Sequence, residues 1–430
     1  MLTPRTSYRV LFILKKKNDN EGLDKPVKLK LLLPNQEPVE CSQNLSSINE
    51  NKWTEILVGD FITPCDHMFG DVEISMAQTD SEYMMKGLVV NKILICPIKK
   101  DWKELSGEHQ WDSLLDPLNV DLSKILTGYG ERLDAIYDCI ITDVNSPRSE
   151  SPMYEEKEFF SRVGPDKGKA MKCQIYEVKK YVYAWVSASF PFKLSSRNKR
   201  AWIGYVAVAT DEGMRLLGRR DILVCWRGTY NTAEWKKNIN FWLTPAQVIY
   251  PTVTKAKVHS GFYSIYTDLK DGKSSARVEV IDEVQHLINL YQDEEVSVTI
   301  TGYSLGAGLA TLNAADIVSN KYNKPNPNPK NKEFLVTAFV FGSPKVGDIA
   351  FQTEFNKHIL ERKLHLLRIE NVKDFITGIP LGSYVKVGNE ITFTPTSATS
   401  YEYGKVGVDH KLKNYIREIR ALPYSSRKAS

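Results

Sequence analysis

The amino-acid sequence predicts an α/β fold with a central mixed, mostly parallel sheet, preceded by a small all-β unit. From about residue 101 onward, apolar segments of strand length alternate with segments of helical periodicity, which is typical of α/β domains. Before that point the apolar runs are short and are separated by turn residues. We therefore place a β unit at 1–98 and a larger α/β domain at 99–430.

The first unit contains apolar runs of strand length, which predict antiparallel strands. These runs are Tyr8–Leu14, Val27–Leu33, Trp53–Val58, Val72–Ser75 and Leu88–Ile98. Turn-forming residues separate them, for example at Asn18–Gly22, Pro34–Asn35 and Thr63–Pro64.

The larger domain shows predicted strands and helices in alternation. The strands are Asp221–Trp226, Val296–Thr301, Phe334–Phe341 and Leu364–Glu370. The helices are Arg277–Tyr291, Leu305–Ser319 and Phe351–Arg362. Alternation of this kind predicts a largely parallel or mixed sheet.

Composition excludes several classes of protein. The 430 residues are 42% hydrophobic and 25% charged, ordinary globular proportions that exclude collagen, a long coiled coil and wholesale disorder. The formal net charge of +5 is too small to indicate nucleic acid as the main partner. The six cysteines are scattered, without a C-x-x-C pair or a Cys/His metal spacing. We therefore expect reduced thiols and no metal site.

The amino-terminal segment predicts a cytoplasmic protein. Its apolar run, Val10–Leu14, is shorter than the apolar region of a secretory signal peptide. No stretch of the sequence approaches the ~18 consecutive apolar residues of a membrane-spanning helix. We expect peripheral membrane contact at most.

The central chemical feature is the motif Gly302-Tyr303-Ser304-Leu305-Gly306. An alternating apolar strand leads into it, and a helix of small residues follows. Strand, sharp turn and helix are the context of a nucleophile elbow, in which Ser304 attacks and Gly302 and Gly306 leave room for the chain. The helix start brings the Leu305 N–H near an oxyanion formed at Ser304. The alternative is a tight strand–helix connection with a buried serine.

A nucleophilic serine needs an acid and a histidine base, in the chain order Ser, Asp, His for this kind of fold. Asp374 follows the last predicted strand in a short loop, and His410 is the one histidine beyond it. Asp409 adjoins His410, and because neighbouring side chains generally diverge it is a poor orienting group. His358 lies in a predicted helix and His365 in a strand, where structural histidines are commoner. We therefore predict the triad Ser304, Asp374 and His410.

A second oxyanion donor is expected at the end of strand Asp221–Trp226. There Arg227-Gly228-Thr229 combines a glycine, which permits close approach of the backbone, with Thr229, which supplies an N–H. The alternative is an ordinary polar turn. The following segment, up to Val258, mixes aromatic residues with lysines, which fits a lid over an acyl site, a membrane-facing loop or a helix packed on the sheet. Its members include Trp235, Lys236, Lys237, Phe241, Trp242 and Leu243.

Residues 101–420 resemble the fungal-type class 3 lipases, which are α/β hydrolases, and most closely the plant class II phospholipase A1 group. The matching stretches are Trp111–Leu118, Trp202–Thr229, Val258–Thr267, Ile300–Leu309, Phe341–Gly347 and Asp409–Leu412, together with the Asp374 segment. Two positions depart from the family pattern: Tyr303 stands where the elbow usually has histidine, and Asn238 stands where an acidic residue is common.

The resemblance implies a serine hydrolase that releases the sn-1 acyl chain of glycerolipids at a membrane or micelle interface. Ser304, Asp374 and His410 would be the catalytic residues, Thr229 and Leu305 would donate N–H groups to the oxyanion, and no cofactor is expected. The alternatives are an esterase, an acylglycerol or galactolipid lipase, and a carbohydrate-binding protein with a degenerate hydrolase domain.

Residues 1–97 are similar to the phloem protein 2 lectins. The resemblance lies in Trp53–Phe61, Val72–Met76 and Lys86–Val90, which look like the carboxy-terminal half of that β-sandwich. We expect a partial lectin fold, and assign it no sugar-binding residue. Glycan binding by this unit is the alternative to a purely structural role, which the sequence favours.

Overall fold

The computed structural model describes residues 7–34, 37–63, 71–78, 85–97, 101–143, 145–170, 173–186, 199–229, 242–270, 272–395 and 409–424. The chain divides into two units. The first comprises Met1–Lys100, Pro117–Asp121 and Pro423–Ser430, and the second comprises Asp101–Asp116 and Leu122–Leu422.

The described residues of the first unit form six strands. They are β1 (Ser7–Glu21), β2 (Pro26–Leu32), β3 (Val39–Asn44), β4 (Thr54–Ile62), β5 (Glu73–Gln78) and β6 (Lys86–Pro97). They form two antiparallel three-stranded sheets, ordered β4-β1-β6 and β3-β2-β5. Alternation in β2 buries Val27, Leu29 and Leu31, while Lys28 is exposed, as expected when one face of a sheet covers a core. The sequence missed β3, because four of its six residues are polar and none of the six is fully buried.

A seven-stranded sheet forms the centre of the second unit, in the order β17-β15-β13-β12-β9-β8-β7. Its strands are β7 (Tyr176–Val186), β8 (Lys199–Ala209), β9 (Arg220–Trp226), β12 (Val296–Tyr303), β13 (Leu335–Phe341), β15 (Leu364–Asn371) and β17 (Asn389–Phe393). The five strands from β9 to β17 pair in parallel, and β7, β8 and β9 pair antiparallel. The predicted mixed, mostly parallel sheet is therefore confirmed.

Helices pack on this sheet and connect its strands. They are α1 (Trp102–Leu105), α2 (Val120–Cys139), α3 (Phe159–Arg162), α4 (Asp211–Leu217), α5 (Ser260–Thr267), α6 (Ala276–Leu290), α7 (Leu305–Ser319), α8 (Ile349–Leu360) and α9 (Leu412–Ala421). The side chain of Ser275 accepts the Val278 N–H and caps α6. Helix α7 is buried over nearly its whole length, because its small residues let it lie close to the sheet. The three predicted helices are thus confirmed within two residues of their ends, whereas α1, α2, α3, α4 and α5 were not predicted.

A four-stranded sheet, ordered β10-β11-β14-β16, lies beside the loops that follow the central strands. Its strands are β10 (Leu243–Pro245), β11 (Lys257–His259), β14 (Gly347–Asp348) and β16 (Tyr384–Val385). Among the helices of the described ranges, none has the length and apolar composition needed to cross a membrane. The cysteines within those ranges, Cys41, Cys96, Cys139, Cys173 and Cys225, are free thiols.

Candidate active site

The turn between β12 and α7 has the geometry of a nucleophile elbow. Ser304 has φ 58° and ψ −123°, a left-handed conformation that is uncommon for a non-glycine residue and marks functional sites. A Cβ on Gly302 would lie 2.1 Å from the Gly306 carbonyl oxygen, and one on Gly306 would lie 2.0 Å from that of Trp226. Glycine is therefore required at both flanking positions of the motif.

The structure brings the three predicted side chains together. His410 Nε2 lies 2.8 Å from Ser304 Oγ, and His410 Nδ1 is hydrogen bonded to Asp374 Oδ2. All three residues are at least 95% buried. They come from the carboxyl end of β12, the loop after β15 and the residues just before α9, so three separate elements converge at one edge of the sheet. This is the order of contacts expected of a nucleophile, a base and an orienting acid.

Asp374 is held by two further hydrogen bonds. Its Oδ1 accepts the Ile376 N–H at 3.0 Å, and its Oδ2 accepts the Tyr415 hydroxyl at 2.6 Å. Burial and the nearby Asp374 carboxylate raise the pKa of Tyr415 well above its usual value, so this phenol stays protonated and donates. Sequence reasoning missed Tyr415, because an aromatic residue in an amphipathic helix is typical of a core position.

The segment Phe341–Gly347 supports the histidine. Gly342 has φ 54°, and a Cβ there would lie 3.1 Å from His410 Cε1 and 3.1 Å from the Tyr415 hydroxyl oxygen. The glycine therefore leaves the space that the imidazole and the phenol occupy.

Asp409 makes a different kind of contact from Asp374. Its backbone oxygen, and not its carboxylate, accepts the Asn371 side-chain amide at 2.9 Å.

Tyr303, the residue before the nucleophile in the elbow, packs against the imidazole. Its ring lies 4.9 Å from that of His410, centroid to centroid, with 31° between the planes. Tyr137 of α2 contacts Tyr303 edge-on at 6.2 Å. Burial raises the pKa of Tyr303 well above its usual value, so the ring is neutral and serves as packing for the histidine.

Residues 227–229 pass directly beside the elbow. A Cβ on Gly228 would lie 3.0 Å from Ser304 Cβ and 2.7 Å from the Tyr303 carbonyl oxygen, so only glycine permits this approach. Arg227 is fully buried and Thr229 is 3% exposed. At the other side of the elbow, Leu305 begins α7, where the first N–H groups of a helix have no partner within it. Both predicted donor positions therefore lie next to the nucleophile.

The aromatic and basic segment Trp235–Phe241, including Asn238, lies outside the described residues, so the lid prediction stays a prediction. The two flanking residues that are described differ in environment. Trp242 is 70% exposed, whereas Leu243 is half-buried as the first residue of β10.

The other histidines near the sheet have structural roles. His358 Nε2 lies 3.0 Å from Ser319 Oγ, and His365 Nδ1 lies 3.1 Å from the Gln110 side-chain nitrogen. His259 Nδ1 accepts the Gly261 N–H and caps α5. Burial lowers the pKa of His259 and of His365 to about 4, because a charged imidazole would lose its hydration.

The lowered pKa values of His259 and His365 predict how the free energy of unfolding depends on pH. In the unfolded chain each has a pKa near 6.5, so between pH ~6.5 and ~4 the unfolded state binds more protons. The free energy of unfolding should therefore fall as the pH is lowered through this range, by about 3 kcal/mol per histidine. Denaturant unfolding at several pH values measures it. The slope should be shallower in His365→Gln, and an unchanged slope would contradict the assignment.

The fold and the elbow define an α/β hydrolase. Residues 223–384 match the family model described as lipase (class 3), and residues 1–97 match that of phloem protein 2. Phospholipase A1-II 1 of Oryza sativa subsp. indica is 41% identical over 68% of this chain and 74% of its own length. Phospholipase A1-IIgamma of Arabidopsis thaliana is 39% identical over 74% of this chain and 78% of its own. A lipase structure from Yarrowia lipolytica is 15% identical, with a TM-score of 0.44, over 64% of this chain and 80% of that one.

The chain belongs to the plant phospholipase A1-II family of class 3 lipases. It is accordingly a carboxylic ester hydrolase of the lipase type that acts on glycerolipids. Its amino-terminal 97 residues carry the phloem protein 2 match in addition.

Proposed function

We propose that the protein is a phospholipase A1 that releases the sn-1 acyl chain of phospholipids through a Ser304-His410-Asp374 triad. The observation that carries the proposal is the chain of contacts from Ser304 Oγ through His410 to Asp374. The plant relatives named phospholipase A1-II support the choice of reaction.

In this mechanism His410 Nε2 takes the proton of Ser304 as Oγ attacks the sn-1 carbonyl carbon. The backbone N–H groups of Thr229 and Leu305 stabilise the oxyanion of the tetrahedral intermediate. The intermediate collapses when His410 protonates the departing glycerol oxygen, and the acyl chain remains on Ser304. Water then attacks this ester with His410 as base, and the fatty acid is released.

Exposed apolar side chains in segments that follow the central strands support peripheral contact with a lipid surface. Val372 follows β15, two residues before Asp374, and is 58% exposed, while Leu381 precedes β16 and is 73% exposed. The Tyr384 hydroxyl donates to the carbonyl oxygen of Trp242 at 3.2 Å, which brings the exposed Trp242 to the same small sheet. Large apolar side chains in water are unfavourable unless a partner covers them.

Positional selectivity is tested with two matched ether lipids. A phosphatidylcholine with an sn-1 ester and an sn-2 ether should be hydrolysed, whereas the isomer with an sn-1 ether and an sn-2 ester should be inert. Diacyl phosphatidylcholine should yield the sn-2 acyl lysolipid at early times, before acyl migration. Hydrolysis of the sn-2 ester would refute the regiochemistry, and exclusive hydrolysis of galactolipid or monoacylglycerol would refute the phospholipid assignment.

A further inference from the structure

The loop of residues 227–229 is held by a tyrosine outside the triad. The Gly228 N–H donates to the Tyr137 hydroxyl oxygen at 2.7 Å. Tyr137 lies in α2, 91 residues away in sequence, and is half-buried. The Tyr137 hydroxyl is also 3.1 Å from where a Gly228 Cβ would lie, so the glycine and the phenol fit each other.

The orientation of each peptide in this loop is fixed by a hydrogen bond. Arg227 Nη1 donates to the Gly228 carbonyl oxygen at 3.1 Å, and its Nε donates to the Trp202 carbonyl oxygen at 2.6 Å. In a trans peptide the C=O and N–H point in opposite directions. The guanidinium therefore turns the Thr229 N–H away from itself, and Tyr137 sets the preceding peptide through the Gly228 N–H.

Helix α2 is a firm support for this contact. The Tyr205 hydroxyl donates to the Arg132 carbonyl oxygen at 2.9 Å, and the Ser123 hydroxyl donates to the Ile419 carbonyl oxygen at 2.8 Å. A Cβ on Gly130 would lie 2.8 Å from Ile416 Cγ1, so α2 and α9 lie in close contact. Tyr137 thus projects from a helix anchored both to the sheet and to the helix that follows His410.

We propose that Tyr137 is a positioning residue that preorganises the oxyanion loop by accepting the Gly228 N–H. This inference rests on the proposed function, because it takes the Thr229 N–H to be an oxyanion donor. A donor acts on the developing charge only if it is held in place before the charge forms. Tyr137 acts through Gly228, whose N–H it accepts at 2.7 Å.

Tyr137→Phe removes the acceptor and keeps the ring that contacts Tyr303. We expect kcat to fall about 10-fold with KM within about 2-fold of wild type, because the loss concerns the transition state. A trifluoromethyl ketone lipid analogue, which forms a charged hemiketal with a serine nucleophile, should bind more weakly by the same factor as kcat/KM falls. A dialkyl ether phospholipid, which has no carbonyl group, should bind with unchanged affinity.

The matched control is Tyr263→Phe, which also removes a half-buried tyrosine hydroxyl that accepts a backbone N–H, that of Val248 at 3.0 Å. Tyr263 lies in α5, away from α2 and from residues 227–229. The control should keep kcat and the affinity for the ketone within about 2-fold of wild type. If Tyr137→Phe melts well below wild type, 3,5-difluorotyrosine at position 137 offers a milder change. Both proteins are then assayed at a pH low enough to keep the more acidic difluorophenol protonated, where it keeps the hydroxyl but is a weaker acceptor, and a smaller loss of kcat in the same direction is expected.

The outcomes separate this inference from the proposed function. Wild-type kcat and ketone affinity in Tyr137→Phe, with Ser304→Ala inactive, would overturn the positioning role alone. A loss of activity in which the diether lipid also binds more weakly, or in which ketone affinity does not change, would make the role a general structural one and overturn it as well. Full activity in Ser304→Ala would overturn the proposed function itself.

Discussion

Ser304→Ala is expected to lower kcat by about 10⁵- to 10⁶-fold, because it removes the atom that attacks the ester. The hydroxyl contacts His410 Nε2 at 2.8 Å, and the residue sits in a left-handed turn held by the Ser304 N–H, which donates to the Phe341 carbonyl oxygen at 3.0 Å. Alanine keeps the Cβ and that backbone hydrogen bond. The melting temperature should therefore stay within about 2 °C of wild type, since surrounding packing is preserved.

Hydrolysis of phosphatidylcholine and a thermal melt of the same preparations measure the two effects. Ser343→Ala is the matched control, because Ser343 is also a buried serine near the elbow but its hydroxyl donates to the Pro344 carbonyl oxygen at 3.0 Å. It should retain activity within a few-fold. A fluorophosphonate should label the wild-type protein at Ser304 and leave Ser304→Ala unlabelled. Labelling elsewhere with full activity in Ser304→Ala would refute the nucleophile.

The parts of this site that the sequence predicted depend on local patterns. A strand of alternating apolar and polar residues, a serine in a G-x-S-x-G motif and a helix of small residues lie within one stretch of chain, so they define the elbow without knowledge of the fold. Asp374 and His410 were found by elimination, because chain order restricts the acid and the base to few positions.

The parts that were missed depend on contacts between distant segments. Tyr415 reaches Asp374 across 41 residues and Tyr137 reaches Gly228 across 91, and no spacing rule specifies such pairs. Helix α2 escaped prediction because Gly128 and Gly130 interrupt a helical pattern. The structure supplies the reason for Gly130, since a Cβ there would collide with Ile416 of α9. Gly130 was therefore visible in the sequence as a residue of low helix propensity, but only its contact with α9 explains why a glycine stands there.

Asp374→Asn is expected to lower kcat by about 10⁴-fold, because it replaces a carboxylate oxygen that accepts from His410 Nδ1 with an amide NH₂ group that donates. The amide oxygen can keep the hydrogen bond that the Ile376 N–H now donates to Oδ1 at 3.0 Å. The amide NH₂ group then faces His410 Nδ1 and the Tyr415 hydroxyl, which both donate to Oδ2 in the wild type. His410 then presents a lone pair at Nδ1 to this amide and carries its proton on Nε2. In that tautomer Nε2 cannot accept the proton of Ser304.

The chain offers a matched control in Asp409→Asn, the same chemical change at the residue adjoining His410. The substitution leaves the backbone oxygen of residue 409 in place, which accepts the Asn371 amide at 2.9 Å. It also leaves the Asp374 carboxylate that bonds His410 Nδ1, so activity should stay within a few-fold. Tyr415→Phe removes the hydrogen bond that the Tyr415 hydroxyl donates to Asp374, while His410 keeps its acceptor. This variant should lower kcat about 10-fold. Kinetics on phosphatidylcholine would thus rank the variants as Asp374→Asn, then Tyr415→Phe, then Asp409→Asn. The reverse order for the two aspartates would make Asp409 the acid that orients the base.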